Sequence, residues 1–78
     1  MNAQKVYKIK RNEHEEVRIT LREYKGKKYV DIRIFFQPAD KTDMVPTKRG
    51  VTIAVGQLAD LAKGLKHISN LIPEEEIV

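Results

Sequence analysis

The chain has no cysteine, two histidines, and no apolar run near the roughly 20 residues that a membrane-spanning helix needs. Without cysteine, neither a disulfide nor a thiolate metal site can supplement the core, which fits a reducing compartment. His14 and His67 are too isolated to build a metal cluster or a nucleophilic relay. No glycine-rich loop offers a phosphate cradle, and the acids Glu74 to Glu76 have no base beside them. The expectation is a soluble protein without catalysis, metal, cofactor or membrane partner. No apolar signal region opens the chain, which predicts a cytoplasmic, nucleoid-associated place in a bacterium or phage, or a nuclear one in a eukaryote.

Charge, by contrast, is plentiful and unevenly placed. The net charge is +4, yet residues 1–50 carry 13 basic and 7 acidic side chains, and residues 51–78 carry 2 and 4. The basic excess therefore falls on the part that reads as sheet, an electrostatic footprint for a polyanion. A chain of 78 residues forms one domain, and at this size it buries only about 60% of its unfolded surface. A lone monomer would be marginal.

The stretch from Arg22 to Phe36 organises the rest. Val17, Ile19 and Leu21 alternate with Arg18, Thr20 and Arg22; Val30, Ile32 and Ile34 alternate with Asp31 and Arg33. A period of two with one apolar side predicts a half-buried antiparallel hairpin, its turn at Lys25-Gly26-Lys27. Around it, strands are expected at Val6–Lys10, Glu16–Tyr24, Lys28–Gln37 and Lys48–Ala54, with Val51 and Ile53 inward. A loop covers Arg11–Glu15, and a longer one runs from Pro38 to about Thr47, with Met44 and Val45 folding back on the sheet. A helix follows from about Gly56 to Ile72, poorly capped at its start and stopped by Pro73. Met1–Lys5 reads as frayed and 73–78 as an acidic tail, leaving a core of about 6–72. The fold class is α+β.

Leu58, Leu61, Leu65, Ile68 and Ile72 fall at spacings of 3 and 4, one stripe on that helix. The stripe is long for a domain with one thin sheet, so part of it should meet a second copy across a two-fold axis. The opposite, polar side of the hairpin joins arginines and an aromatic ring with lysines at the turn. Cations serve phosphates and flat rings serve bases, so this combination suits a nucleic acid strand. Tyr24 shares the parity of Arg22 and sits among Lys25, Lys27 and Lys28. Asp31 should pair with a neighbouring base. Plain alternation puts Phe35 outside with Arg33 and Phe36 inside with Ile34.

Arg22-Glu23-Tyr24-Lys25-Gly26-Lys27, then Val30-Asp31-Ile32-Arg33 with aromatics behind it, then Pro46 and Lys48-Arg49-Gly50-Val51-Thr52 ahead of a helix, resembles the Positive Cofactor Four family of transcriptional coactivators. The resemblance spans about Val17 to Ile72. It implies a four-stranded, strongly curved antiparallel sheet followed by one C-terminal helix, a homodimer, and channels for single-stranded DNA. Carried over position by position, it implies nucleic-acid contacts at Tyr24, Lys25, Lys27, Arg33, Phe36, Lys48 and Arg49. Arg22, Lys28 and Phe35 are further candidates. Choosing Phe36 over Phe35 requires a bulge near Ile34 to re-aim the ring. The family commonly has Phe where this chain has Tyr24, Trp where it has Phe36, and often a lysine near Glu15. The Ser- and Lys-rich arm of the eukaryotic coactivators is missing, which points to a compact bacterial or phage-type member.

The expected function is a dimeric, largely sequence-nonspecific single-stranded DNA binder working in transcription, replication or repair, with that machinery as partner. RNA stays open, since stacking and phosphate contacts do not read the 2′ position. The alternative is an adaptor that docks an acidic protein through its basic sheet face.

Overall fold

Residues 5–76 are described by the computed structural model. Four strands, β1 (Val6–Lys10), β2 (Glu15–Tyr24), β3 (Lys27–Phe36) and β4 (Val45–Ala54), form one open, curved antiparallel sheet in the order β1-β2-β3-β4. A short 3-10 turn (Val55–Gln57) leads into the helix α1 (Leu58–Asn70), and a second such turn covers Glu74–Glu76. The expected frayed start (Met1–Gln4) and the last two residues of the acidic tail (Ile77, Val78) lie outside the described residues.

The β2–β3 hairpin closes more tightly than the expected three-residue turn. Tyr24 pairs with Lys27, leaving only Lys25 and Gly26 between the strands. Both have positive φ, 51° and 78°, which is the backbone that matches the right-handed twist of a two-residue hairpin. Gly26 adopts it freely; Lys25, which has a Cβ, does so under strain.

Register assigns every side chain to a face. Val17, Ile19 and Leu21 pair with Ile34, Ile32 and Val30, and the latter two with Val51 and Ile53, so these eight form one apolar face. Tyr7 and Ile9 of β1 extend it. Glu16, Arg18, Thr20, Arg22 and Tyr24 pair with Phe35, Arg33, Asp31, Tyr29 and Lys27 on the opposite, polar face. The fourth strand begins at Val45 rather than at Lys48, so the expected loop is shorter. Pro46 is tolerated within it because β4 is an edge strand. Between Arg33↔Gly50 and Phe35↔Pro46 the register slips: one residue of β3, Ile34, faces Thr47, Lys48 and Arg49 of β4. The irregularity therefore lies where the Phe36 assignment needed it, but its extra residues are on the other strand. Pairing of β3 with β2 runs through it unbroken.

Capping of α1 is as weak as the sequence suggests, with Gln57 making no side-chain cap hydrogen bond. It ends at Asn70, two residues short of expectation, and the N–H of Leu71 reaches the carbonyls of Ile68 and Ser69. Among the described residues the buried apolar side chains are Val30 and Phe35, and α1 buries none. Leu58 and Leu61 are half-covered, but Leu65 is 63% exposed and Ile68 55%. The radius of gyration is 14.9 Å, against about 11.5 Å for a compact chain of this length. The helix and the apolar sheet face have little to pack on within one copy.

The turn carries a clear expectation. Gly26→Ala should cost roughly 1 kcal/mol, because a Cβ is disfavoured at this φ, and Lys25→Asn should stabilise by up to about 1 kcal/mol. Urea midpoints of the two variants, moving in opposite directions from the wild type, check it.

Candidate nucleic-acid interface

The polar face is built on one buried charge. Asp31, central in β3, is buried, and the Arg33 guanidinium meets it with two hydrogen bonds, Nε donating at 3.0 Å and Nη2 at 2.8 Å. This confirms the expected pairing of Asp31 with a neighbouring base, and the charge-assisted bonds raise the Arg33 pKa further. Nη1 donates to the Thr47 carbonyl at 3.0 Å, so the same side chain reaches across to the irregular part of β4. It can do so because Gly50 lies between: a Cβ there would come within 2.7 Å of the Ile32 carbonyl oxygen and 2.9 Å of Arg33 Cζ. The Thr47 hydroxyl donates to the Ile34 carbonyl at 2.7 Å and accepts from the Arg49 N–H at 3.1 Å, stapling the extra residues. Of the five guanidinium N–H groups of Arg33, three are used and two stay available.

An open cleft runs along this face. Its turn end, about 640 Å3, is lined by Tyr24, Lys27, Lys28, Tyr29, Thr52, Ala54 and Gln57. Tyr29 and Thr52 continue it into a second hollow with Arg22, Asp31, Arg33 and Pro46. Tyr24 is 65% exposed, and Lys25 Nζ stands 5.3 Å from the centre of its ring. Of the residues singled out in the sequence, Arg22, Tyr24, Lys27, Lys28 and Arg33 therefore meet along one cleft, with Lys25 at its rim. Tyr29 was missed, although its parity with Lys27 and Arg33 placed it on this face. It lies between them, half-buried and common to both hollows.

The remaining candidates sit elsewhere. Alternation from Gly50 puts Lys48 on the polar side but Arg49 on the apolar side, where its Nη2 donates to Glu15 Oε2. Glu15 pairs with Phe36, so Arg49 and Phe36 border the same far corner of the sheet. Phe36 is 39% exposed, whereas Phe35 is 8% exposed, with the Arg18 guanidinium 4.2 Å over its ring. Alternation thus sorted the faces as expected but not the burial: Phe35, on the Arg33 side, is the covered ring. Phe36, expected inside, is the open one because β3 ends there. The acid at Glu15 takes up a basic side chain, Arg49, instead of adding one. Among the described residues, no group of three or more His, Cys, Asp or Glu side chains could hold a metal ion, and no helix is long and apolar enough to cross a membrane.

Hydrogen bonds from Asn12, then from Arg49, hold the Glu15 carboxyl below the ordinary carboxylate value. A group whose pKa falls on folding stabilises the fold above its unfolded value, about 4.3, and that contribution is lost as pH drops through the lower folded value. Glu15→Gln should therefore flatten the loss of stability on acidification below about pH 4.3. Urea midpoints across that range test this, and an unchanged profile would contradict it.

Similarity to known proteins agrees with this fold. Residues 11–64 match the family model of the Transcriptional Coactivator p15 (PC4). A PC4 homolog from Burkholderia pseudomallei, in its tetragonal crystal form, is 32% identical with a TM-score of 0.75, over 86% of this chain and 98% of its own. A bacteriophage T5 homolog of the eukaryotic coactivator PC4, described as implicated in recombination-dependent DNA replication, shares the fold at 24% identity and a TM-score of 0.61, over 92% of this chain and 80% of its own. A Caenorhabditis elegans protein that carries the name RNA polymerase II transcriptional coactivator is 34% identical over 55 residues, 70% of this chain. The chain matches only 39% of that relative's length. With the model covering most of the chain from the β1–β2 loop into α1, the protein belongs to the Transcriptional Coactivator p15 (PC4) family.

Proposed function

We propose that the protein is a homodimeric, largely sequence-nonspecific single-stranded DNA-binding protein that holds unpaired strands during transcription, replication or repair. One observation carries this reading: the cleft that joins Tyr24, Lys27 and Tyr29 to Arg33 along the polar face. A strand laid in it would meet a ring for stacking and cations for phosphate, the two terms of single-strand affinity. Lys25 grips a phosphate beside Tyr24, and Lys48 extends the charge toward Arg49 and Phe36 at the far corner. Arg49 exchanges its Glu15 carboxylate for a phosphate, so this corner engages less strongly than one with a lysine at that position would. The coactivator name of the nematode relative supports a place in transcription, with that machinery as partner. A bacterial host would put the protein at the nucleoid, and a eukaryotic one in the nucleus.

The dimer covers what one copy leaves bare. Leu58, Leu61, Leu65, Ile68 and Ile72 of the helical stripe, most of them exposed, pack on the same surface of a second copy. Burial of such side chains contributes about 25 cal/mol per Å2, which a domain with two buried apolar residues among those described needs. Sedimentation at micromolar concentration should give a dimer, and Leu65→Asp should give monomer or unfolded chain. A well-folded wild-type monomer would overturn the dimer.

Fluorescence titration against labelled single-stranded and duplex oligonucleotides at several salt concentrations tests the binding itself. Neutralisation of phosphates by Lys25, Lys27, Arg33, Lys48 and Arg49 predicts that log K falls with log salt at a slope of roughly −3.5. Lys27→Ala should flatten it by about 0.7. Tyr24→Ala should cost about 1–3 kcal/mol with the slope unchanged, and Tyr24→Phe should be nearly silent, since the ring does the stacking. A wild type with no preference for single strands would favour the adaptor that docks an acidic protein.

A further inference from the structure

The turn end of the cleft contains two rings where a stacking platform needs one. Tyr24 pairs with Lys27, and Tyr29 follows Lys27 by two on the same strand, so the tyrosines are diagonal neighbours on one face. Diagonal positions on paired strands are about 7–8 Å apart at the backbone, within reach of aromatic side chains. Rings at such positions, both facing one open cleft, can take a flat group between them at about 3.5 Å from each. Both tyrosines line the cleft, and the floor beside Tyr29 is Ala54, its pairing partner on β4, which takes up little room. Lys25, whose Nζ stands 5.3 Å from the centre of the Tyr24 ring, is not part of the cleft lining. Lys27 and Lys28 line the same cleft and supply charge for the flanking phosphates.

We infer that Tyr24 and Tyr29 form a two-ring clamp that takes one unpaired nucleobase of a bound strand. Tyr29 is then a binding residue in its own right, and not only the cross-strand neighbour of Arg22. The clamp rests on the single-strand reading above. It assigns the tightest base contact to the turn end of the cleft, while the Arg33 end contributes charge. A nucleobase fits this space better than an aliphatic side chain of a protein partner, because two flat walls reward a flat occupant.

The test uses the full chain and an oligothymidine titrated by fluorescence. Tyr29→Leu, which keeps an apolar side chain on the strand, should weaken binding about 5- to 150-fold with the salt slope unchanged. Tyr29→Phe should bind within about twofold of the wild type, since stacking uses the ring. Because both rings hold one base, Tyr24→Ala combined with Tyr29→Leu should cost clearly less than the product of the two single losses. In the wild type, 2-aminopurine placed singly along an oligothymidine should be strongly quenched on binding at one or more positions, a readout that needs no folded variant. Wild-type binding matched by a well-folded Tyr29→Leu variant overturns the clamp and leaves the single-strand reading intact, provided Tyr24→Ala still weakens binding. Losses that multiply overturn it as well, because the two rings would then hold different bases. So does 2-aminopurine that stays bright at every position. A wild type that binds no single strand overturns both readings.

Discussion

Asp31 is a carboxylate buried in the middle of the central hairpin, and much of the polar face is arranged around holding it. A charge in that position is costly unless it is paired and hydrogen-bonded. Arg33 does this with two bonds from one flat group, which fixes its guanidinium against the sheet. Fixed there, it reaches Thr47 across Gly50 and so holds the slipped register of β4 in place. Beside the slip the basic pair of β4 divides by alternation from Gly50, Lys48 to the polar side and Arg49 to Glu15. A single ion pair thus links strand geometry to charge placement. Replacing Arg33 would remove both a proposed phosphate contact and a bond that holds β4, so its loss cannot be read as a binding effect alone.

The second constraint is the division of the hairpin into two faces by a period of two. One face is isoleucine, valine and leucine; the other has arginine, lysine, tyrosine and Asp31. In a chain this short the apolar face is not covered by its own helix, because α1 meets the sheet near Leu58 and then leaves most of its stripe exposed. The proposed dimer and the proposed strand site therefore follow from the same alternation. In this proposal a second copy takes the apolar face, and a polyanion takes the polar face and reaches the Arg49 corner.

Alternation made much of this legible in the sequence. It placed β1 and the central hairpin within a residue of their observed ends and put Tyr24 with Arg22 on the polar face. The 3-and-4 spacing of leucine and isoleucine gave the helix, its weak start included. What local pattern could not give was tertiary. The slip on β4 depends on Arg33 reaching Thr47, which no spacing encodes. The cover over Phe35 comes from Arg18 on the neighbouring strand, so parity alone gave the face of that ring but not its burial. Arg49 reads as a free cation until the fold brings Glu15 beside it, 34 residues away in sequence. Tyr29 was legible by parity with Lys27 and Arg33.

The central claim is that one face of the sheet, the polar one, receives the strand. The most direct measurement is a backbone amide NMR titration of the full chain with a short single-stranded oligonucleotide. The account predicts shifts concentrated at Arg22, Tyr24, Lys25, Lys27, Tyr29 and Arg33, with the residues of α1 from Leu61 onward nearly unmoved. Shifts concentrated on α1 and the Ile9 and Val51 face, with the hairpin turn silent, would contradict it.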